Sequence, residues 1–180
     1  MKKMIMILGL MISGIACASL SCHKTEPLPT AQNVDVARYI GKWYAISSMP
    51  QIFTRSCLGQ TAEYQIIGEN KISVLNTCLK KGGKTKTIDG QAVIVNTKTN
   101  AELEVTFNNF WTKLFRVKGD YTIIKLSEGY DAVLIGSKDR KSLWIMSRTP
   151  SIDEQTYNEF AQFAKENGFP TETLVKSIFE

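Results

Sequence analysis

From Trp43 onward the apolar residues come in short bursts rich in β-branched and aromatic side chains, punctuated by Gly, Asn, Asp and Lys. Eight bursts stand out, at 43–49, 60–67, 71–78, 87–95, 101–108, 118–126, 131–137 and 142–148. Their near-regular spacing and short turns predict an all-β antiparallel meander, closed as a barrel or sandwich. In 101–108, Glu102 and Glu104 alternate with Leu103, Val105 and Phe107, so one face meets water and the other turns inward. The stretches 132–135 and 143–146 are instead apolar on both faces. Strands of that kind need a cover outside the sheet.

The C-terminal segment supplies one. After Pro150, Ser151-Ile152-Asp153-Glu154 reads as a capping box, and Gly168 followed by Pro170 ends the helix it opens. Within it Tyr157, Phe160, Ala161 and Ala164 fall at i, i+3, i+4 and i+7, which makes one apolar stripe. The expected architecture is therefore an eight-stranded antiparallel up-and-down β-barrel with one C-terminal α-helix packed outside. A barrel of that size is about wide enough to hold one small ligand or to be filled by side chains.

The N-terminus follows a different pattern. Lys2 and Lys3 precede an almost unbroken apolar run over 4–16, followed by the small residues Ala16, Ala18, Ser19 and Ser21. A run this short with one positive flank reads as an export signal rather than a membrane span. A cysteine at its end suggests lipidation after cleavage, as in bacterial lipoproteins. Cys22 is the first choice, Cys17 the alternative, and plain secretion the third reading. The chain thus divides into a lipoprotein signal peptide (1–21), a polar, proline-containing flexible tether (22–33) and a single barrel domain (34–180).

Export bears on the other two cysteines. The turn Gly68-Glu69-Asn70 makes a hairpin of 60–67 and 71–78, which brings positions near 57 and 78 to its far end. In an oxidising compartment Cys57 and Cys78 are a natural disulfide pair. The competing reading is a reactive thiol.

Gly41-Lys42-Trp43-Tyr44, opening the first strand, resembles the G-x-W motif of lipocalins. Leu143 to Pro150 (LWIMSRTP), closing the last strand, resembles the family's matching arginine region. Strand parity agrees: strand one leaves the closed end and strand eight returns to it, so Arg148 can lie over the indole of Trp43 and seal the floor. Gly41, Trp43 and Arg148 are on this view structural. The resemblance runs from about Val34 to Leu174. It is nearest to the bacterial outer-membrane lipocalins and their apolipoprotein-D-like and plant temperature-induced relatives. What it implies is binding of fatty acids or lysophospholipids, no catalysis, and a lipid-anchored place on the periplasmic side of a Gram-negative outer membrane.

Charge refines the ligand. The chain has 22 Lys and Arg against 17 Asp and Glu. The loops expected at the open mouth, near 49–60, 79–86, 108–118 and 137–142, carry Arg55, Lys80, Lys81, Lys84, Lys86, Lys113, Arg116, Lys118, Lys138, Arg140 and Lys141, opposed by Asp139 alone. Either these lysines serve solubility, or the mouth attracts an anionic headgroup whose chain enters the barrel. Among them, Phe110, Trp111, Leu114 and Phe115 form either a plug over the barrel or an apolar lip, and Phe53 plays a similar part in the first loop. By alternation Ala45, Ser47, Leu103, Val105 and Phe107 face inward as candidate ligand contacts; Phe53, Phe110, Trp111, Lys80, Lys113 and Arg116 are the mouth candidates.

Enzyme chemistry has little footing. The only histidine, His23, lies in the tether, which leaves no His-based triad and no His metal site. No Gly-rich phosphate loop appears, and no nucleic-acid motif accompanies the basic residues. Neither cofactor nor metal is expected. The expected partners are a fatty acid or lysophospholipid and, through the anchor, a membrane, with a homodimer left open. Two alternatives remain: a structural envelope lipoprotein with a filled barrel, and a thiol-dependent lipid-modifying enzyme.

Overall fold

The structure is a computed structural model that describes residues 26–52, 54–108 and 118–179. The expected leader, both candidate lipidation cysteines (Cys17 and Cys22), Phe53, Phe110, Trp111, Lys113 and Arg116 lie outside the described residues.

A single helical turn, α1 (Val36–Tyr39), precedes the sheet; its cap Asp35 accepts from the amides of Ala37 at 2.9 Å and Arg38 at 3.3 Å. Eight strands follow: β1 (Gly41–Ser48), β2 (Gly59–Gly68), β3 (Lys71–Leu79), β4 (Thr85–Ile94), β5 (Glu102–Phe107), β6 (Gly119–Leu126), β7 (Ala132–Gly136) and β8 (Leu143–Ser147). Each pairs antiparallel with the next, and β1 pairs with both β8 and β2, so the sheet closes into a barrel. All eight expected strands are present, with ends shifted by up to two residues.

Two apolar cores lie on opposite sides of the barrel wall. Trp43, Ala45, Tyr64, Val74, Leu103, Val105, Val133 and Met146 fill the interior. Ile124, Leu134, Leu143 and Ile145 point outward against Phe160 and Ala164 of the C-terminal helix α2 (Glu154–Glu166) and against Phe169. That is why β7 and β8 read as apolar on both faces. The expected stripe is the packed face of α2, but its cap differs. Asp153 accepts from the amide of Thr156 at 2.8 Å, so Asp153 takes the capping role assigned to Ser151.

The structure adds a ninth strand that the sequence pattern did not announce. β1 and β2 pair from Gly41–Tyr64 as far as Ala45–Gln60 and then part. Into the opening comes β9 (Val175–Lys176), which pairs Lys176 with Ser47 and Val175 with Ser48. The amide of Ser177 donates to the Ile46 carbonyl at 2.9 Å, and that of Ile178 to the Leu58 carbonyl at 2.7 Å. Two paired residues are too few to carry a readable period.

Candidate functional site

The barrel floor is built around Trp43, which is fully buried. Its indole Nε1 donates to the Tyr39 carbonyl at 2.9 Å. Arg148 lies over the ring, 3.8 Å from guanidinium carbon to centroid. Its nitrogens donate to the carbonyls of Arg38 (2.7 Å), Tyr39 (3.0 Å), Lys42 (3.0 Å) and Tyr130 (3.2 Å). One guanidinium thereby joins α1, β1 and the β6–β7 turn, as its rigid fork of donors allows. Gly41 is needed beside it: φ is +96°, and a Cβ there would stand 3.3 Å from an Arg148 nitrogen.

Above the floor stand the buried Tyr39 and Tyr64 and the half-buried Tyr121. The hydroxyls of Tyr39 and Tyr121 are 2.5 Å apart, and Tyr121 donates to Tyr64 at 3.1 Å. Burial pushes Tyr64 up to about 12 and raises Tyr39 and Tyr121 well above the usual phenol value, so all three stay neutral. Together with Ile72, Val74, Ala92, Leu103 and Val105 they surround a hollow of about 10 Å³, room for one water molecule. The lower barrel is therefore nearly filled, and a larger guest has to sit nearer the mouth. Sequence parity could have turned Tyr64 and Tyr121 inward, but nothing local links them to Tyr39.

Of the inward candidates, Ala45, Leu103, Val105 and Phe107 face the interior. Ser47 does not. A bulge between Ala45 and Ser47 shifts the register against β8, so that Ser47 lies opposite Ile145, whose side chain faces the helix. One extra residue reverses the side-chain parity that follows it. Ser48 takes the inward place, opposite Trp144, and its hydroxyl accepts from Gln60 Nε2 at 3.2 Å. The hydroxyl of Ser47 is fully buried and has no hydrogen-bond partner among the described residues.

The mouth is less uniformly cationic than its loops suggested. Lys118 pairs with Glu104 at 2.6 Å, Lys138 with Glu102 at 2.6 Å, and Lys141 with Asp139 at 3.6 Å. Hydrogen bonds from Asn96 and Lys138 hold the Glu102 carboxyl below its usual range. Arg140 is spent on structure: it donates to the carbonyls of Glu26, Lys138 and Asn167, tying the N-terminal arm to the end of α2. Besides Arg140, the mouth cations without an ion pair among the described residues are Arg55, Lys80, Lys81, Lys84 and Lys86. They cluster on the β1–β2 loop and the β3–β4 hairpin. Cys57 and Cys78 are joined as a disulfide, Cα to Cα 5.2 Å, which fastens that loop to the end of β3. The reactive-thiol reading loses its nucleophile.

Among the described residues no group of three or more His, Cys, Asp or Glu could hold a metal ion, and no helix is long and apolar enough to cross a membrane. Residues 34–178 match the family described as a lipocalin-like domain. The outer membrane lipoprotein Blc of Vibrio cholerae is 30% identical over 153 residues, covering 83% of this chain and 85% of that protein. Temperature-induced lipocalin-1 of Arabidopsis thaliana is 32% identical, with 84% and 83% covered. Insecticyanin from the tobacco hornworm superposes with a TM-score of 0.66 at 17% identity over 85% of each chain, a likeness of fold.

Proposed function

Because the chain belongs to the lipocalin-like family, whose members bind small hydrophobic ligands, we propose that its barrel takes up one fatty acid or lysophospholipid in the bacterial envelope. One observation carries this reading: an apolar inner wall shut at one end by Trp43 and Arg148, with unpaired cations gathered at the other. An amphiphile suits both ends, since its chain is drawn from water by the wall and its anionic group by the mouth. The protein acts by binding and not by catalysis. The leader is removed and Cys22, or failing it Cys17, carries the lipid anchor on the periplasmic side of the outer membrane. The name of the Vibrio relative, outer membrane lipoprotein, supports that placement.

Displacement of a fluorescent fatty acid is the test. Unlabelled fatty acid or lysophospholipid should displace it at micromolar concentration. Displacement by neither refutes the proposal and leaves a structural lipoprotein with a filled barrel, the reading favoured by the water-sized hollow above the floor. Anchoring is checked by metabolic labelling with a clickable fatty acid: Cys22→Ser should abolish the label, and an unlabelled wild type refutes the anchor.

A further inference from the structure

Where β1 and β2 part and β9 enters, the barrel wall holds a cavity of about 170 Å³ lined by Ser48, Thr54, Arg55, Gln60, Val175 and Ser177, among others. We propose that this seam cavity is the headgroup pocket, binding the carboxylate or phosphate oxygens of an amphiphile whose chain lies in the barrel. The inference rests on the ligand-binding reading above and gives it a place and a polarity.

The lining is one of donors. Among the described residues around the cavity no side chain is acidic. Arg55 is exposed and has no ion pair or hydrogen bond among the described residues, so a guanidinium with five N–H groups is available. Ser48 accepts from one N–H of Gln60, and among the described residues the second N–H of that amide and the Ser48 hydroxyl proton have no acceptor. A cavity furnished with a guanidinium, an amide and hydroxyls, and free of carboxylates, selects an anion rich in oxygen.

Position links it to the barrel. Gln60 pairs with Ala45 of the interior core, and Ser48 pairs with Trp144, which packs on that core. Both polar side chains therefore belong to the inner face, so a group held by them can leave its chain inside. The pocket is also firmly walled. The Arg55 loop is fastened by the Cys57–Cys78 disulfide. On the other side Phe179 packs edge-on against Tyr44, ring centroids 5.3 Å apart. Phe179 also lies so near Gly59 that a Cβ there would be 2.8 Å from its ring. The amide of Leu58, which lines the cavity, donates to the Leu79 carbonyl at 2.7 Å and so fixes this wall to the end of β3.

The test compares Arg55→Ala with wild type, using three ligands of equal chain length: a fatty acid, a lysophosphatidic acid and the neutral fatty-acid methyl ester. Lys98→Ala, which removes a cation outside the mouth, serves as control. Loss of one charge-assisted contact should weaken an anionic ligand by about tenfold and leave the ester unchanged. Weakening of both anions supports a pocket that reads charge; weakening of the fatty acid alone or the lysophosphatidic acid alone supports it and identifies the source of the oxygens. Equal effects on all three ligands, no effect on any, or the same loss in Lys98→Ala overturns the seam as the headgroup pocket. Wild type still binding in those cases leaves the ligand-binding reading standing. If wild type binds none of the three, both fail together.

Discussion

The Arg148 guanidinium sits 3.8 Å from the ring centroid of Trp43, 105 positions away in the chain, and its hydrogen bonds to four carbonyls hold it there. A cation over an indole contributes about 0.5–2 kcal/mol. The same segments are also tied by the Trp43 indole to the Tyr39 carbonyl, by Arg38 to the Glu128 carbonyl and by the Asp35 amide to the Tyr130 hydroxyl, so the residue acts as the central rivet of a cross-linked closed end.

Removing the other half of that contact should be costly. Trp43→Ala empties a fully buried site and is expected to lower unfolding free energy by about 3–5 kcal/mol, measured by urea denaturation. A near-neutral result would contradict the burial of the indole.

The disulfide joins Cys57 to Cys78, 21 positions further along the chain. Cys57→Ser with Cys78→Ser should reduce stability by about 3 kcal/mol, with the loss attributed to the looser unfolded chain. Thiol titration of the native wild type should detect neither cysteine, and titration of either one would contradict the bond.

Alkaline pH should unfold the barrel through its tyrosines. A phenol in the unfolded chain titrates near 10, whereas burial pushes Tyr64 up to about 12 and also raises Tyr39 and Tyr121 well above their ordinary value. The native state thus keeps protons that the unfolded state gives up. The Tyr64 contribution to stability is intact below pH of about 10 and is lost as pH rises through about 12, and those of Tyr39 and Tyr121 are lost in the same sense on the alkaline side. Phenolate absorbance followed alongside circular dichroism should show these tyrosines ionising together with unfolding. Complete titration of every tyrosine near pH 10 in folded protein would refute the buried cluster.

The unpaired lysines of the β3–β4 hairpin should act through their field. Replacing Lys80, Lys81, Lys84 and Lys86 by Ala is expected to weaken binding of a fatty acid several-fold at low salt and to flatten its salt dependence. Identical affinities and identical salt slopes would assign these lysines to solubility alone.

Much of this protein is legible along the chain. Strand positions follow from a two-residue period, the helix from a 3.6-residue stripe, and the floor from G-x-W and the arginine region, whose parity puts Trp43 and Arg148 at one end. The disulfide followed from the expectation of an export leader and from one hairpin turn. These signals are local, or need only the direction in which each strand runs.

Tertiary structure decided the rest. Closing a barrel staggers its strands and demands bulges, and neither leaves a mark in a periodic pattern. One bulge turned Ser47 outward and Ser48 inward. Stagger brought Glu102 and Glu104 up to Lys138 and Lys118, which pairs two of the mouth cations that the loops alone had left free. The tyrosine cluster joins α1, β2 and β6, and β9 fills a gap that exists only because β1 and β2 diverge. Side-chain parity is set by the chain residue by residue, but which strands lie level with one another is set by closure, and the site was built at that level.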